Sequence, residues 1–245
     1  MRTGNRHSLW LLAFVALFTG CRVAPNAAEP DRERAAGGEI EHEQSLVPVD
    51  TMGPPGGFDV SALQTRYTKD IPGEGRLYVT FLTSAGKLQC LLHEEEAPRT
   101  VDNFVGLARG LKTWTDPASK EPVKRPFYDG LSFHRVVPNV LIQTGDPTNS
   151  GVGHPGFTID DEFGAGLEHD SAGVMAMAQS RPNGSGSQFY ITDSPTPQFD
   201  GRYPIFGHCE DLDVIHKIAA AALTEGTVDR PLDPIRIESL SFERR

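Results

Sequence analysis

Phe127–Asp146, FYDGLSFHRVVPNVLIQTGD, is the stretch whose reading decides the fold. Phe133, Val136 and Val137 run into Pro138–Asn139, after which Val140, Leu141 and Ile142 resume an apolar run that ends at Thr144–Gly145–Asp146. β-Branched and aromatic runs on either side of Pro-Asn read as two strands joined by a tight turn, because Pro fixes φ and Asn tolerates the left-handed backbone a turn requires. Arg135 stands in the first strand, between Phe133–His134 and Val136. The hairpin alone leaves two readings of it open: a surface charge paired with an aspartate, or a charge kept for chemistry.

Toward the N-terminus, Leu77–Leu82 and Leu88–Leu92 are β-type runs joined by Thr83–Ser84–Ala85–Gly86, a second hairpin. Pro98 opens a helical pattern with Val101, Phe104, Val105 and Ala108 on one face and Gly110 as the stop. The polar insertion Lys112–Pro126 reads as a surface loop. Beyond the central hairpin come a Gly-rich loop, the acids Asp160, Asp161 and Glu162, and strands at Val174–Ala178 and Gln188–Thr192. Ile205–Phe206–Gly207 follows, then a helix capped by Asp211 with Leu212, Ile215, Ala219 and Ala222 at helical spacing, and a closing strand over Ile235–Phe242. Many short strands with two helices predict a mainly β domain, a closed or nearly closed antiparallel barrel.

The ends of the chain read differently. Residues 1–21 carry Arg2 and Arg6, an apolar run from Leu9 to Phe18 and then Thr19–Gly20–Cys21. That run is too short to span a bilayer and reads as a secretory signal. Gly directly before a lone cysteine resembles the bacterial lipoprotein signal, which implies lipidation of Cys21; the alternative is an ordinary secretory cleavage site. Residues 22–74 combine acids with Gly53–Pro54–Pro55–Gly56–Gly57 and read as a flexible tether of roughly 40 Å reach, with a short helix at Val60–Tyr67. The folded domain is then 75–245. The expected location is the cell envelope, lipid-anchored through Cys21, or a soluble periplasmic protein without that anchor. A net charge of −10 disfavours nucleic acid and anionic lipid surfaces as partners, so the membrane is expected only through the anchor, and the protein is expected to be a monomer.

Several motifs carry no chemistry. Gly151–Val152–Gly153–His154–Pro155–Gly156 matches the dinucleotide fingerprint letter for letter, but Pro155 sits inside it and no helix begins after it. Ser185 and Ser187 lack the spacing of a hydrolase elbow. The 8 histidines show no paired metal-ligand spacing, so neither a metal nor a cofactor is expected. Cys90 and Cys209 lie in apolar strands, where buried free thiols are the default and pairing is the alternative in an oxidising compartment.

Phe133–His134–Arg135–Val136, Pro138, Gln143 with Gly145–Asp146, Met177–Ala178, Gly186–Ser187–Gln188–Phe189, and Phe199–Asp200–Gly201–Arg202–Tyr203 with Phe206–Gly207 together resemble the cyclophilin-type peptidyl-prolyl isomerases over residues 75 to 242. Each piece alone is weak; in register they are specific. The resemblance implies an eight-stranded barrel with two capping helices, and a reaction in which an Xaa-Pro bond rotates across a barrier of ~18–20 kcal/mol without any bond breaking. A catalyst must bind the twisted imide better than either planar isomer. Lost resonance returns lone-pair density to the prolyl nitrogen, and the implied role of Arg135 is to donate a hydrogen bond there. Gln143 would hold the carbonyl side and keep Arg135 aimed. Implied substrate contacts are Phe133, His134, Val140, Leu141, Gly151, Ala178, Gln179, Gln188, Tyr190, Phe199 and Tyr203. Val140, Leu141 and Tyr190 replace the Phe, Met and Phe usual in the family, which predicts a shallower and slightly more polar socket for the proline ring. Gln198 stands where many members carry the Trp tied to cyclosporin contact, which predicts weak inhibition, with no sub-micromolar effect in a cyclosporin titration. The expected partners are Xaa-Pro segments of unfolded or extended exported proteins. Two rivals are a proline-peptide binding module or chaperone of the same fold with little turnover, and a scaffold whose tether carries the function.

Overall fold

The computed structural model describes residues 66–245, so the expected signal, Cys21 and most of the 22–74 tether lie outside the described residues. Among the described residues ten strands and two α-helices follow one another as β1 (Leu77–Thr83), β2 (Gly86–Leu92), α1 (Pro98–Ala108), β3 (Trp114–Thr115), β4 (Pro122–Val123), β5 (Arg135–Val137), β6 (Leu141–Thr144), β7 (Val174–Met177), β8 (Phe189–Thr192), β9 (Ile205–Cys209), α2 (Leu212–Ala219) and β10 (Ile237–Arg244). Eight of the strands form one antiparallel sheet in the order β10-β1-β2-β9-β7-β8-β6-β5. Its two end strands, β5 and β10, share no ladder. The segments beside them meet at one isolated bridge, Ser132 with Arg236, aided by Phe133 N–H to the Ile235 carbonyl at 2.9 Å. The sheet is therefore curled with its end strands unjoined by a ladder, and the closed form of the barrel, which the resemblance implies, is not formed.

The core explains the curl. Phe81, Phe104, Tyr128, Phe189 and Phe206 are fully buried, and their rings meet at centroid distances of 5.1 to 6.1 Å, mostly tilted or edge-on. Aromatic pairs in these geometries add to the stabilisation their burial already gives. Helix α1 lays Val101, Phe104, Val105 and Ala108, as expected, onto this cluster. Its N-terminus has no side-chain cap of its own; instead Glu162 accepts hydrogen bonds from Thr100 N–H at 2.9 Å and Thr100 Oγ1 at 3.0 Å. One of the acids in the Asp160–Glu162 run is thus a cap supplied from outside the helix.

Five expectations need correction. Asp211 precedes α2, but its carboxylate accepts from Gln89 N–H at 2.6 Å and does not cap the helix; the helix ends at Ala219, before the exposed Ala222, and buries Ile215, Ile218 and Ala219. The insertion at 112–126 is more than surface loop, because Trp114 is buried edge-on against Phe127 at 4.8 Å while β3 pairs with β4. The fold also begins before residue 75: Thr68 and Ile71 are buried, and Asp70 pairs with Arg109 at the end of α1 at 2.7 Å. Of the helix expected at Val60–Tyr67 only the last two residues are described, and they form a bend. Finally, Cys90 and Cys209 are not free thiols but a disulfide, formed where β2 and β9 place them directly opposite each other.

Candidate active site

The central hairpin folds as its sequence requires, with Asn139 at φ 60° in the turn and Asp193 accepting from Asn139 N–H at 2.6 Å. Its register makes Arg135 and Gln143 direct partners across β5 and β6, so both side chains leave the same face. They emerge at a cleft of about 770 Å³. Ten of the residues expected to touch substrate or act in catalysis line it: Arg135, Leu141, Gln143, Gly151, Ala178, Gln179, Gln188, Tyr190, Phe199 and Tyr203.

A directional chain of hydrogen bonds crosses its floor. Arg135 Nη1 donates to Gln143 Oε1 at 3.3 Å, Gln143 Nε2 donates to Gln188 Oε1 at 2.9 Å, and Gln188 Nε2 donates to the carbonyls of Gly151 at 3.1 Å and Gly153 at 2.8 Å. Each carboxamide accepts on one side and donates on the other, so the cation at one end fixes the orientation of both glutamines. At the other end the 146–153 loop is gathered around Asp146. Its carboxylate accepts from the N–H groups of Thr148, Ser150, Gly151 and Gly153. Burial pushes this carboxyl up, but the Thr148 hydroxyl and these N–H donors outweigh it and hold the pKa below the ordinary carboxylate value. A Cβ on Gly153 would overlap Asp146 Oδ1, so only glycine fits that position. The run that imitates a dinucleotide fingerprint is one wall of this cleft.

Beside Arg135 lies an apolar socket. Tyr190, Phe199 and Tyr203 meet edge to face with centroids 5.3 to 5.7 Å apart, over the buried Leu141 and Ala176. The socket is less polar than the Tyr190 substitution predicts. The hydroxyl of Tyr190 lies 2.9 Å from Nε2 of fully buried His169, whose Nδ1 lies 2.7 Å from Asp200. Asp200 on one ring nitrogen and the tyrosine hydroxyl on the other hold the imidazole between them. Burial, then Tyr203 and Asp200, push the Tyr190 phenol pKa up, so it stays protonated.

Three expected contacts stand outside the cleft lining. Phe133 is in the main core, and Val140 packs behind the socket with Leu141 and Val174. His134 has both ring nitrogens buried without a hydrogen-bond partner, and burial lowers its pKa. Gln179 lines the cleft, and its side chain is engaged by the protein: Nε2 donates to Asp161 at 3.1 Å and the Arg202 carbonyl at 3.0 Å, while Oε1 accepts from Gly184 N–H at 3.3 Å and the Ser185 hydroxyl at 3.1 Å, tying the 179–185 turn in place. Gln198 is exposed and outside the lining. Sequence reading missed His154, Phe157 and Arg181 in the cleft wall, because their loops carry no periodic signal. It also missed Asp229, whose carboxylate accepts from Arg135 Nε at 2.8 Å. Among the described residues no group of three or more His, Cys, Asp or Glu is placed to hold a metal ion.

Comparison with known proteins agrees with this geometry. Residues 78–242 match the family model for cyclophilin-type peptidyl-prolyl cis-trans isomerases. The peptidyl-prolyl cis-trans isomerase A of Mycobacterium tuberculosis is 42% identical over 166 residues, covering 66% of this chain and 90% of the relative. Isomerase B of Streptomyces anulatus is 40% identical over 173 residues, covering 69% and 98%. A crystal structure of a cyclophilin-type isomerase from Cryptosporidium parvum superposes with a TM-score of 0.59 at 29% identity, covering 69% of this chain and 99% of that one. The same protein in the presence of the dipeptide Ala-Pro gives 0.58 at 30% identity.

Proposed function

The chain belongs to the cyclophilin-type peptidyl-prolyl cis-trans isomerases, and on that premise we propose that it catalyses Xaa-Pro rotation during the folding of exported proteins, with Arg135 donating to the prolyl nitrogen. The observation that carries this reading is the register pairing of Arg135 with Gln143 at the rim of a cleft whose adjoining wall is the Leu141–Tyr190–Phe199–Tyr203 socket. A proline ring seated there buries three methylenes, a gain of roughly 2 kcal/mol. The imide then lies beside a permanently charged, hydrogen-bonded guanidinium, which is strengthened against solvent competition only when the nitrogen becomes basic in the twisted state. Gln143, itself held by Gln188, engages one nitrogen of that guanidinium from the cleft floor.

The exported setting is supported by the leader-like residues 1–21 ending in Gly20–Cys21, and by the Cys90–Cys209 disulfide, which suits an oxidising compartment. Cys21 carries the lipid in this reading, and the enzyme acts as a monomer on extended polypeptides near the envelope. A protease-coupled assay on a proline peptide tests the reaction: turnover above the uncatalysed rate is expected, and its absence would leave only a binding module. Clickable fatty-acid labelling of cells making the wild type and Cys21→Ala tests the anchor. Equal label in both, or none in the wild type, refutes it.

A further inference from the structure

Asp229 lies in the connection between α2 and β10, a segment with no role in the reading above. Its Oδ2 accepts from Arg135 Nε at 2.8 Å, and its main-chain carbonyl accepts from the N–H of Val136, the next residue along β5, at 2.7 Å. The connection is itself fastened to the cleft loop, since Arg230 Nη2 donates to the Asn149 carbonyl at 2.7 Å, and Leu223 bridges to Pro231. From this geometry we propose that Asp229 is a positioning residue for the isomerase reaction, clamping the Nε edge of Arg135 so that Nη2 is presented to the prolyl nitrogen.

The need for a clamp follows from exposure. The Arg135 side chain is 43% exposed and ends a long flexible stem, and Gln143 restrains it at only one nitrogen, at 3.3 Å. One contact leaves the planar group free to swing about it; a second, on Nε, removes that freedom. With Nε on Asp229 and Nη1 on Gln143, no hydrogen bond engages Nη2 among the described residues. The main-chain bond to Val136 sets where the carboxylate stands relative to β5, so the clamp and the arginine share one frame. The clamp rests on the isomerase reading given above, but it is a statement about side-chain order that can be read without turnover.

Two measurements test it on the full-length protein. In the peptide assay, Asp229→Ala lowers kcat about tenfold with KM within about twofold and the melting temperature unchanged, because only alignment in the transition state is lost. Asp229→Asn, which keeps an acceptor oxygen for Nε–H, recovers most of that loss. In an Arg135→Lys background, which lacks Nε–H, Asp229→Ala changes kcat little. By NMR, the Arg135 Nε–H resonance is slow to exchange in the wild type, lost in Asp229→Ala and retained in Asp229→Asn, whether or not the protein turns over peptide. The proposal is overturned by wild-type kcat in Asp229→Ala, by the same fold loss in both arginine and lysine backgrounds, or by an Nε–H resonance indifferent to Asp229. A wild type without turnover that still shows the Asp229-dependent resonance would overturn the isomerase assignment and leave the clamp.

Discussion

Of the two readings of Arg135 left open by its hairpin, the pairing with an aspartate is present in the structure, and the chemical role is the one proposed above. It is a strand arginine paired with an aspartate, Asp229, and it also lines the cleft. Arg135 and Gln143 are legible in sequence through the family resemblance, and the β5–β6 register then sets them directly opposite each other. Asp229 is not, since it sits 94 positions from Arg135 in a turn where aspartate is commonplace. Replacing Arg135 by Ala is expected to cost on the order of 2–4 kcal/mol of transition-state stabilisation, by analogy with loss of one oxyanion donor. This would appear as a fall in kcat/KM of roughly 30- to 800-fold in the peptide assay. Unchanged turnover would remove the arginine from the mechanism. Tyr190→Phe should behave in the opposite way. It strips the partner from buried His169 Nε2 and is expected to cost about 1–2 kcal/mol in urea unfolding, while kcat/KM stays near wild type because that hydroxyl is turned to His169 and not to substrate.

At the scale of elements, strands and helices were readable where a period ran long enough, as in β1, β2, α1 and β10, and unreadable where long-range partners overrode local pattern. The external cap on α1 comes from Glu162, 62 positions from Thr100, and the insertion holding Trp114 looks polar because a single buried side chain anchors it. The 146–153 loop is the element on which the cleft floor depends, and its organiser is one carboxylate. Because the folded-state pKa of Asp146 is depressed, its contribution is fully present above the unfolded value of about 3.9 and is lost as pH falls through the lower folded value. Thermal stability measured from neutral pH downward should therefore drop below about pH 4, and Asp146→Asn should be less stable at neutral pH with a flatter acid limb. An acid limb identical in the two proteins would mean that other carboxylates dominate it.

For the whole molecule, the sheet order divides at the contact between β2 and β9. On one side lie β10, β1 and β2; on the other, β9, β7, β8, β6 and β5, which carry the cleft. Three ladder pairs join the halves there, flanked by the His93 N–H to Phe206 and Glu210 N–H to Gln89 main-chain bonds, and one of the pairs is Cys90 with Cys209. The same two cysteines look like ordinary buried thiols in sequence, because only the strand pairing brings residues 119 positions apart face to face. Closing a loop of that length restricts the unfolded chain, which corresponds to about 4–5 kcal/mol in the chain-entropy account and more often 2–4 in practice. Urea unfolding with and without a reductant should show a loss of that size, matched by Cys90→Ala/Cys209→Ala and absent when the double variant is itself reduced. Since both sulfurs are fully buried, reduction should require partial unfolding, so native protein held in mild reductant should keep its isomerase activity for far longer than unfolded protein keeps its disulfide. Rapid loss of the disulfide under native conditions would mean that the β2–β9 junction opens by itself, and that the two halves of the sheet are joined less firmly than their hydrogen bonds imply.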